Sequence, residues 1–189
     1  MKIFGIICEY NPFHNGHARQ LEFCRSNGAD LIFCAMSGDF TQRGEPAVLE
    51  KRIRAKHAVQ SGADLVAELP LPYAAAGAKD FAEGGVKLLE KMGCTHICFG
   101  SECGNISLLE KAAELIDSDS FNNSLKLHIK AGKSYPVSAE LAGEEYGGVL
   151  NAPNNILAVE YLRALKSVGS AMRPITLTRN TDYCSESLD

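Results

Sequence analysis

The chain has 189 residues, 46% of them hydrophobic and 22% charged, with a formal net charge of -4 at pH 7. That length supports one good core with at most a small appendage, and the negative charge argues against a generally basic nucleic-acid binder while leaving room for a local basic face. The apolar runs are far shorter than a membrane span, and Met1-Lys2-Ile3 opens no secretory signal layout, so the sequence predicts a cytoplasmic protein without a membrane partner.

The first predicted unit is a strand over 3–9, a loop over 10–16 and a helix over 17–27, with Gly28 as the helix stop. Asp30 to Met36 is nearly continuous in apolar residues, as a parallel strand covered on both faces should be. A polar loop, Ser37 to Pro46, leads to a second helix from Val48 to Ser61, a stop at Gly62 and a third strand over 63–69. Pro70-Leu71-Pro72-Tyr73 interrupts the rhythm. A third helix covers Phe81 to Lys91, with Val86, Leu88 and Leu89 as core candidates, and a fourth strand covers Thr95 to Phe99.

Beyond it, Ile106 to Ile116 repeats apolar residues at helical spacing. Asp117 to Asn123 reads as a polar break, Leu125 to Gly132 as a short helix, and Tyr135 to Gly148 as containing another. Pro153 opens a helix to about Ser167, with the proline in its first turn. Pro174 to Thr178 is a fifth strand, and the residues after Arg179 form a polar tail.

The helix-stop pattern recurs. Asn27-Gly28-Ala29-Asp30-Leu31-Ile32 and Ser61-Gly62-Ala63-Asp64-Leu65-Val66 are near copies, and Met92-Gly93-Cys94-Thr95-His96-Ile97 is a looser third. This is a βα rhythm, not a repeat protein. It predicts an α/β fold, a doubly wound and mostly parallel five-stranded Rossmann-like sheet with helices on both faces. The expected domain covers 1–183, with a helical insertion at about 105–168 and a tail at 184–189.

The seven cysteines are scattered. Cys8, Cys34 and Cys98 fall in predicted strands and are read as buried thiols. Cys94, Cys98 and Cys103 are the only cluster; their spacing is not C-x-x-C, and no second pair follows, so no metal site is expected. A cysteine nucleophile would need a base partner, and the sequence identifies none.

In an open α/β sheet, ligands bind beyond the carboxyl ends of the strands. The informative positions are therefore Glu9, Ser37-Gly38-Asp39, Gly100-Ser101-Glu102 and Arg179. After the first strand the chain reads Glu9-Tyr10-Asn11-Pro12-Phe13-His14-Asn15-Gly16-His17. This places His14, Gly16 and His17 at a helix N-terminus, where backbone N–H groups and the helix dipole attract anions. Gly16 has no Cβ, so a ligand can come close, and two imidazoles can donate hydrogen bonds to oxygens that gain charge in a transition state.

The tetrapeptide His14-Asn15-Gly16-His17 resembles the H-x-G-H signature of nucleotidyltransferases and class I aminoacyl-tRNA synthetases. The longer run from Glu9 to His17 resembles the tRNA(Met) cytidine acetate ligase family. So do the block from Ser37 to Ala47, close to the family's M-S-G-x-F-x-Q-R-G-E-P-A, and Pro153-Asn154-Asn155-Ile156-Leu157, its P-N-N-I-L run. The likeness runs from Met1 to about Tyr183. It implies a nucleotidyltransferase-type (HUP) fold and an ATP-dependent ligase. Acetate would be activated as acetyl-adenylate, and the acetyl group passed to the exocyclic amine of the wobble cytidine of elongator tRNA(Met).

The resemblance also assigns residues. His14 and His17 become the catalytic pair. Ile7, Cys8, Glu9, Tyr10, Asn11, Pro12, Phe13, Asn15 and Gly16 join them as the ATP-binding stretch, with Gly100, Asn154, Asn155 and Arg179 as further nucleotide contacts. Plainer roles stand beside these: Asn11 as a turn residue before Pro12, Gly100 as a turn, Asn154 as a helix cap, Arg179 as a solvated arginine. Gln42 and Arg43 are candidates for the acyl or pyrophosphate site. The helix after them carries Lys51, Arg52, Arg54 and Lys56 with His57, either facing tRNA phosphates or forming an ordinary charged face. Magnesium would arrive with ATP.

Family members also carry an I-S-x-T-x-I-R-like second signature and a helical tRNA-holding domain, and this chain stops at Asp189 without them, as a shortened member would. Two rival readings follow. One is a small-molecule nucleotidyltransferase with the same H-x-G-H chemistry. The other is a nucleotide-binding module without catalysis.

Overall fold

The structure, a computed structural model, describes residues 1–143 and 147–179. The polar tail expected at 184–189 lies outside the described residues, as do 144–146 of the helical stretch expected over 135–148. Five strands, β1 (Ile3–Cys8), β2 (Leu31–Ser37), β3 (Leu65–Leu69), β4 (His96–Ser101) and β5 (Arg173–Thr178), form one parallel sheet in the order β3-β2-β1-β4-β5. The order reverses beside β1, which makes the β1–β4 neighbourhood the topological switch point. β1 pairs with β2 all the way from Ile3↔Leu31 to Cys8↔Met36. Its register with β4 covers Phe4↔His96 and Gly5↔Ile97, at the opposite end from Cys8.

Side-chain alternation along β1 decides which helix covers which face. Phe4 and Ile6 join Leu21 and Cys24 of α1 (Asn15–Ser26) and Ala58 of α2 (Lys51–Gln60) in one buried cluster. Gly5 and Ile7 face the other way. There α4 (Ala78–Lys91), which follows the one-turn α3 (Leu71–Ala74), approaches so closely that a Cβ on Gly85 would sit 2.5 Å from Ile7 Cδ1. The helix stops at Gly28 and Gly62 have φ of 86° and 114°, a backbone that glycine adopts without penalty.

The chain divides into two compact units. One is Met1–Phe99 with Glu160–Ile175; the other, over the described residues, is Gly100–Val159 with residues 176–179. The second holds α5 (Ile106–Ile116), α6 (Asp119–Lys130), α7 (Tyr135–Ala142), α8 (Gly147–Leu150) and the start of α9 (Pro153–Val168). The unit boundaries fall inside β4, α9 and β5.

Four local expectations need correcting. The break at Pro70–Tyr73 is the one-turn α3, because Pro70 and Pro72 carry a preset φ suited to a helix start. Most of the polar stretch 117–123 is helical: Ser118 Oγ caps α6 by accepting from Phe121 N at 3.2 Å, and Phe121 is buried. Helix α2 begins at Lys51 rather than Val48: the first helical carbonyl is that of Glu50, which accepts from Arg54 N at 3.1 Å, while the Leu49 carbonyl accepts from Arg54 Nε at 2.9 Å. Strand β4 continues through Gly100 to Ser101, so Gly100 lies in a strand and not in a turn.

Candidate functional site

In the larger unit, the loop after β1 is shaped by its own aromatic and imidazole side chains. Tyr10 has φ of 50°, the one positive φ outside glycine among the described residues, and it is buried. Its ring meets Phe13 at 4.9 Å and His17 at 4.8 Å between centroids, and its hydroxyl lies 3.5 Å from Cys34 Sγ. The Asn11–Pro12 peptide is cis. The chain then enters α1 with His14 as N-cap in an extended conformation.

The cap is a reciprocal pair built from two histidines. Gly16 N donates to His14 Nδ1 at 3.1 Å, and His14 N donates to His17 Nδ1 at 3.3 Å. This is the geometry that a Ser and a Glu usually supply. It fixes the tautomer: a neutral imidazole whose Nδ1 accepts carries its proton on Nε2. The two rings stack at 3.7 Å with 28° between planes. Two stacked imidazoles, each with its proton on Nε2, thus lie at the positive end of a helix dipole.

Gly16 is needed for this fold-back, since a Cβ there would sit 2.9 Å from His14 Cε1. The space over Gly16 is therefore filled by His14. The Gly16 and His17 amides are also engaged, the second by the His14 carbonyl at 2.9 Å. Those two amides are therefore committed within the cap.

The loop over 37–48 is fastened to this one. Glu9 Oε1 accepts from Gln42 N at 2.6 Å, and Asn11 Oδ1 accepts from Val48 N. Thr41 N donates to the Glu45 carbonyl and Gly44 N to the Thr41 carbonyl, both at 2.9 Å, which leaves Arg43 exposed at the tip of the turn.

The cations of α2 separate into different roles. Arg54 is not a tRNA-facing cation. It is 1% exposed and donates to four carbonyls: Leu49, Glu9 at 2.5 Å, Ser37 at 3.2 Å and Gly38. It gathers the chain beyond the carboxyl ends of β1 and β2. Lys51 pairs with Glu68 at 2.8 Å and Asp39 at 3.3 Å. Arg52 and Lys56 are exposed, and His57 is half-buried.

In the smaller unit, a second group assembles from residues far apart in sequence. Glu102, just past β4, accepts from Asn154 N at 3.1 Å and Asn154 Nδ2 at 2.7 Å through Oε1, and from Asn155 N at 2.8 Å through Oε2. Arg179 Nη1 donates to Asn154 Oδ1 at 2.9 Å, and Arg179 N donates to the Ser101 carbonyl at 2.8 Å. Arg179 lies across Gly100: a Cβ at Gly100 would sit 2.5 Å from Arg179 Nε. Asn155 is buried, and its Oδ1 accepts from Cys103 N at 3.1 Å. Burial pushes the Glu102 carboxyl up, but hydrogen bonds from Asn154 and from the backbone outweigh it and hold the group below its ordinary value.

In the sequence Glu102 is only a strand-end position. Its partners lie 52 and 53 residues away, so no local pattern announces them.

Among the described residues, no three His, Cys, Asp or Glu side chains converge as a metal-ligand set. Desolvation pushes the Cys94 thiol up to about 12 and Cys8 well above its ordinary value, so both stay protonated and unreactive near neutral pH. No helix among the described residues is long and apolar enough to cross a membrane.

Comparison with known proteins decides the family. The family model described as HIGH nucleotidyl transferase matches residues 1–189. The chain belongs to the HIGH nucleotidyl transferase family. The chain is 44% identical, over 100% of its length and 48% of the relative's, to the tRNA(Met) cytidine acetate ligase of Acetivibrio thermocellus. It is 41% identical to the protein of the same name from Clostridium perfringens, over 100% of its length and 51% of the relative's. A crystal structure of Thermotoga maritima TmcAL bound with alpha-thio ATP superposes with a TM-score of 0.90 at 36% identity, covering 98% of this chain and 48% of that one. The fold class expected from the sequence is the one observed. The chain spans about half the length of the curated relatives it matches.

Proposed function

We propose that this protein is an ATP-dependent ligase that acetylates the wobble cytidine of elongator tRNA(Met). A carboxylate oxygen of acetate attacks the α-phosphorus of ATP, and pyrophosphate leaves. The cytidine N4 amine then attacks the acetyl carbon, AMP leaves, and the amine's proton passes to solvent, giving N4-acetylcytidine. The observation that supports this best is the two-histidine cap in a chain matched along its whole length by proteins named for that activity.

The residues act by position and charge. The Nε2 protons of His14 and His17 are donated to phosphate oxygens that gain negative charge as the α-phosphorus is attacked. Neither ring forms a covalent bond. Tyr10 and Phe13 wall the His17 ring and keep it from turning. Asn154 and Arg179 in the smaller unit are proposed nucleotide contacts, Arg179 because a guanidinium fork suits phosphate oxygens. Asn155 is buried and bonded to the backbone, so Asn154 is the better candidate of the pair. Magnesium is proposed to travel with the triphosphate, held by phosphate oxygens and water. The cytoplasm is the compartment this reading carries.

ATP–pyrophosphate exchange is the test. Exchange that depends on acetate and is abolished in a folded His17→Ala variant is the expected result. Exchange that depends on a phosphorylated small molecule would favour a nucleotidyltransferase acting on small molecules. ATP binding without exchange under any carboxylate would reduce the protein to a nucleotide-binding module.

A further inference from the structure

We propose that Glu102 is a positioning residue: its carboxylate clamps the start of α9 so that Asn154 aims the Arg179 guanidinium across the backbone of Gly100. The inference rests on the reading of Asn154 and Arg179 as nucleotide contacts.

Glu102 takes three N–H donors, two of them backbone amides of the first turn of α9. Those amides have no acceptor inside the helix, so a carboxylate there completes the cap and meets the positive end of the dipole. The third donor is the Asn154 side-chain amide. Giving its Nδ2 proton to Glu102 fixes which way the amide faces, and its oxygen then points to Arg179. Arg179 is held from its other side by its own backbone N–H on Ser101. Gly100 leaves the space that the guanidinium stem crosses. A flexible, solvated arginine is thereby converted into one with a fixed direction, which lowers the ordering cost when a phosphate binds.

The substitution that isolates this role is Glu102→Gln. It keeps size and shape, and its oxygen can still accept from Asn154, but its NH2 faces the Asn155 N–H, donor against donor. Two readouts are taken on the folded chain. First, without nucleotide, ¹H–¹⁵N spectra follow the Asn154 side-chain amide and Arg179 Nε–H. Both are expected to move in E102Q, while the Gln20 amide, bonded to the Cys98 carbonyl in the other unit, stays in place. Second, ATP titration calorimetry compares E102Q, Arg179→Ala and the double variant. E102Q is expected to bind ATP about tenfold more weakly, and to add nothing once Arg179 is gone.

An unmoved Arg179 signal, or losses that simply add, would overturn the proposal, because a residue that only stabilises the helix predicts both. If the parent chain shows no ATP affinity, the proposed function fails, and the spectra still decide the positioning role. Should E102Q not fold, Glu102→Asp, which keeps the charge but withdraws it by one methylene, is read in the same way.

Discussion

Arg54 shows how one side chain can fix the geometry of a loop it does not belong to. Its guanidinium is the shared donor for the carbonyls of Leu49, Glu9, Ser37 and Gly38, all in a region where water has little access. Leaving such acceptors unmade costs about 1–3 kcal/mol each. Arg54→Met, which keeps the stem and removes the donors, should therefore lower stability by about 3 kcal/mol or more in urea unfolding; a loss under about 1 kcal/mol would show that water replaces it. His96 gives a pH prediction. Desolvation, with Lys2 and Arg173 nearby, holds its imidazole below the ordinary value. The fold thus favours the neutral ring, stacked at 4.4 Å on Phe4. Its contribution is present above about pH 6.5 and is lost as pH falls through the lower folded value, where the unfolded chain binds the extra proton. Urea midpoints for the parent should drop between pH 7 and pH 5 by more than those of His96→Gln.

The elements are held in place by contacts that small substitutions can break selectively. Helix α6 starts where Ser118 accepts from Phe121 N, so Ser118→Ala should cost about 1 kcal/mol. Chemical unfolding reads this, and an unchanged midpoint would mean that Phe121 burial alone sets the helix start. Strand β4 makes a different demand. Gly100→Ala would place a methyl against Arg179. Arg179 is half-buried and its side chain is tied by one hydrogen bond to Asn154, so it should swing away at little cost in stability. The expected signature is weaker ATP binding with a nearly unchanged unfolding midpoint. A large stability loss with intact binding would assign Gly100 a packing role instead. At this scale the sequence was a good guide wherever periodicity was strong: the apolar run of β2, the glycine stops at Gly28 and Gly62, and the spacing of α5 all stand where they were expected. It failed at Asp117–Asn123, where polar residues concealed a capped helix, and at Val48, where the Arg54 side chain takes the Leu49 carbonyl that a helix starting there would have used.

At the scale of the molecule, ligand linkage offers the broadest check on the proposed function. A ligand that binds only the folded chain adds about 2.7 kcal/mol of stability at one hundred times its dissociation constant. ATP should therefore raise the unfolding midpoint of the parent chain, and the double variant His14→Ala, His17→Ala should lose most of that gain; a shift that survives in the folded double variant would place the triphosphate away from the imidazoles. The sequence alone determined the parallel α/β class, because alternation, buried runs and glycine stops are local and repeat along the chain. It also determined the H-x-G-H element, because a strand, a tight loop and a helix start are contiguous. Only the tertiary structure decided that Arg54 is a buried brace and not an RNA contact, and that Glu102 reaches Asn154 and Asn155. Those facts depend on hydrogen bonds between groups as much as 53 residues apart. A hydrogen bond is satisfied by position in space, and position in space is fixed by packing that no short window of sequence contains.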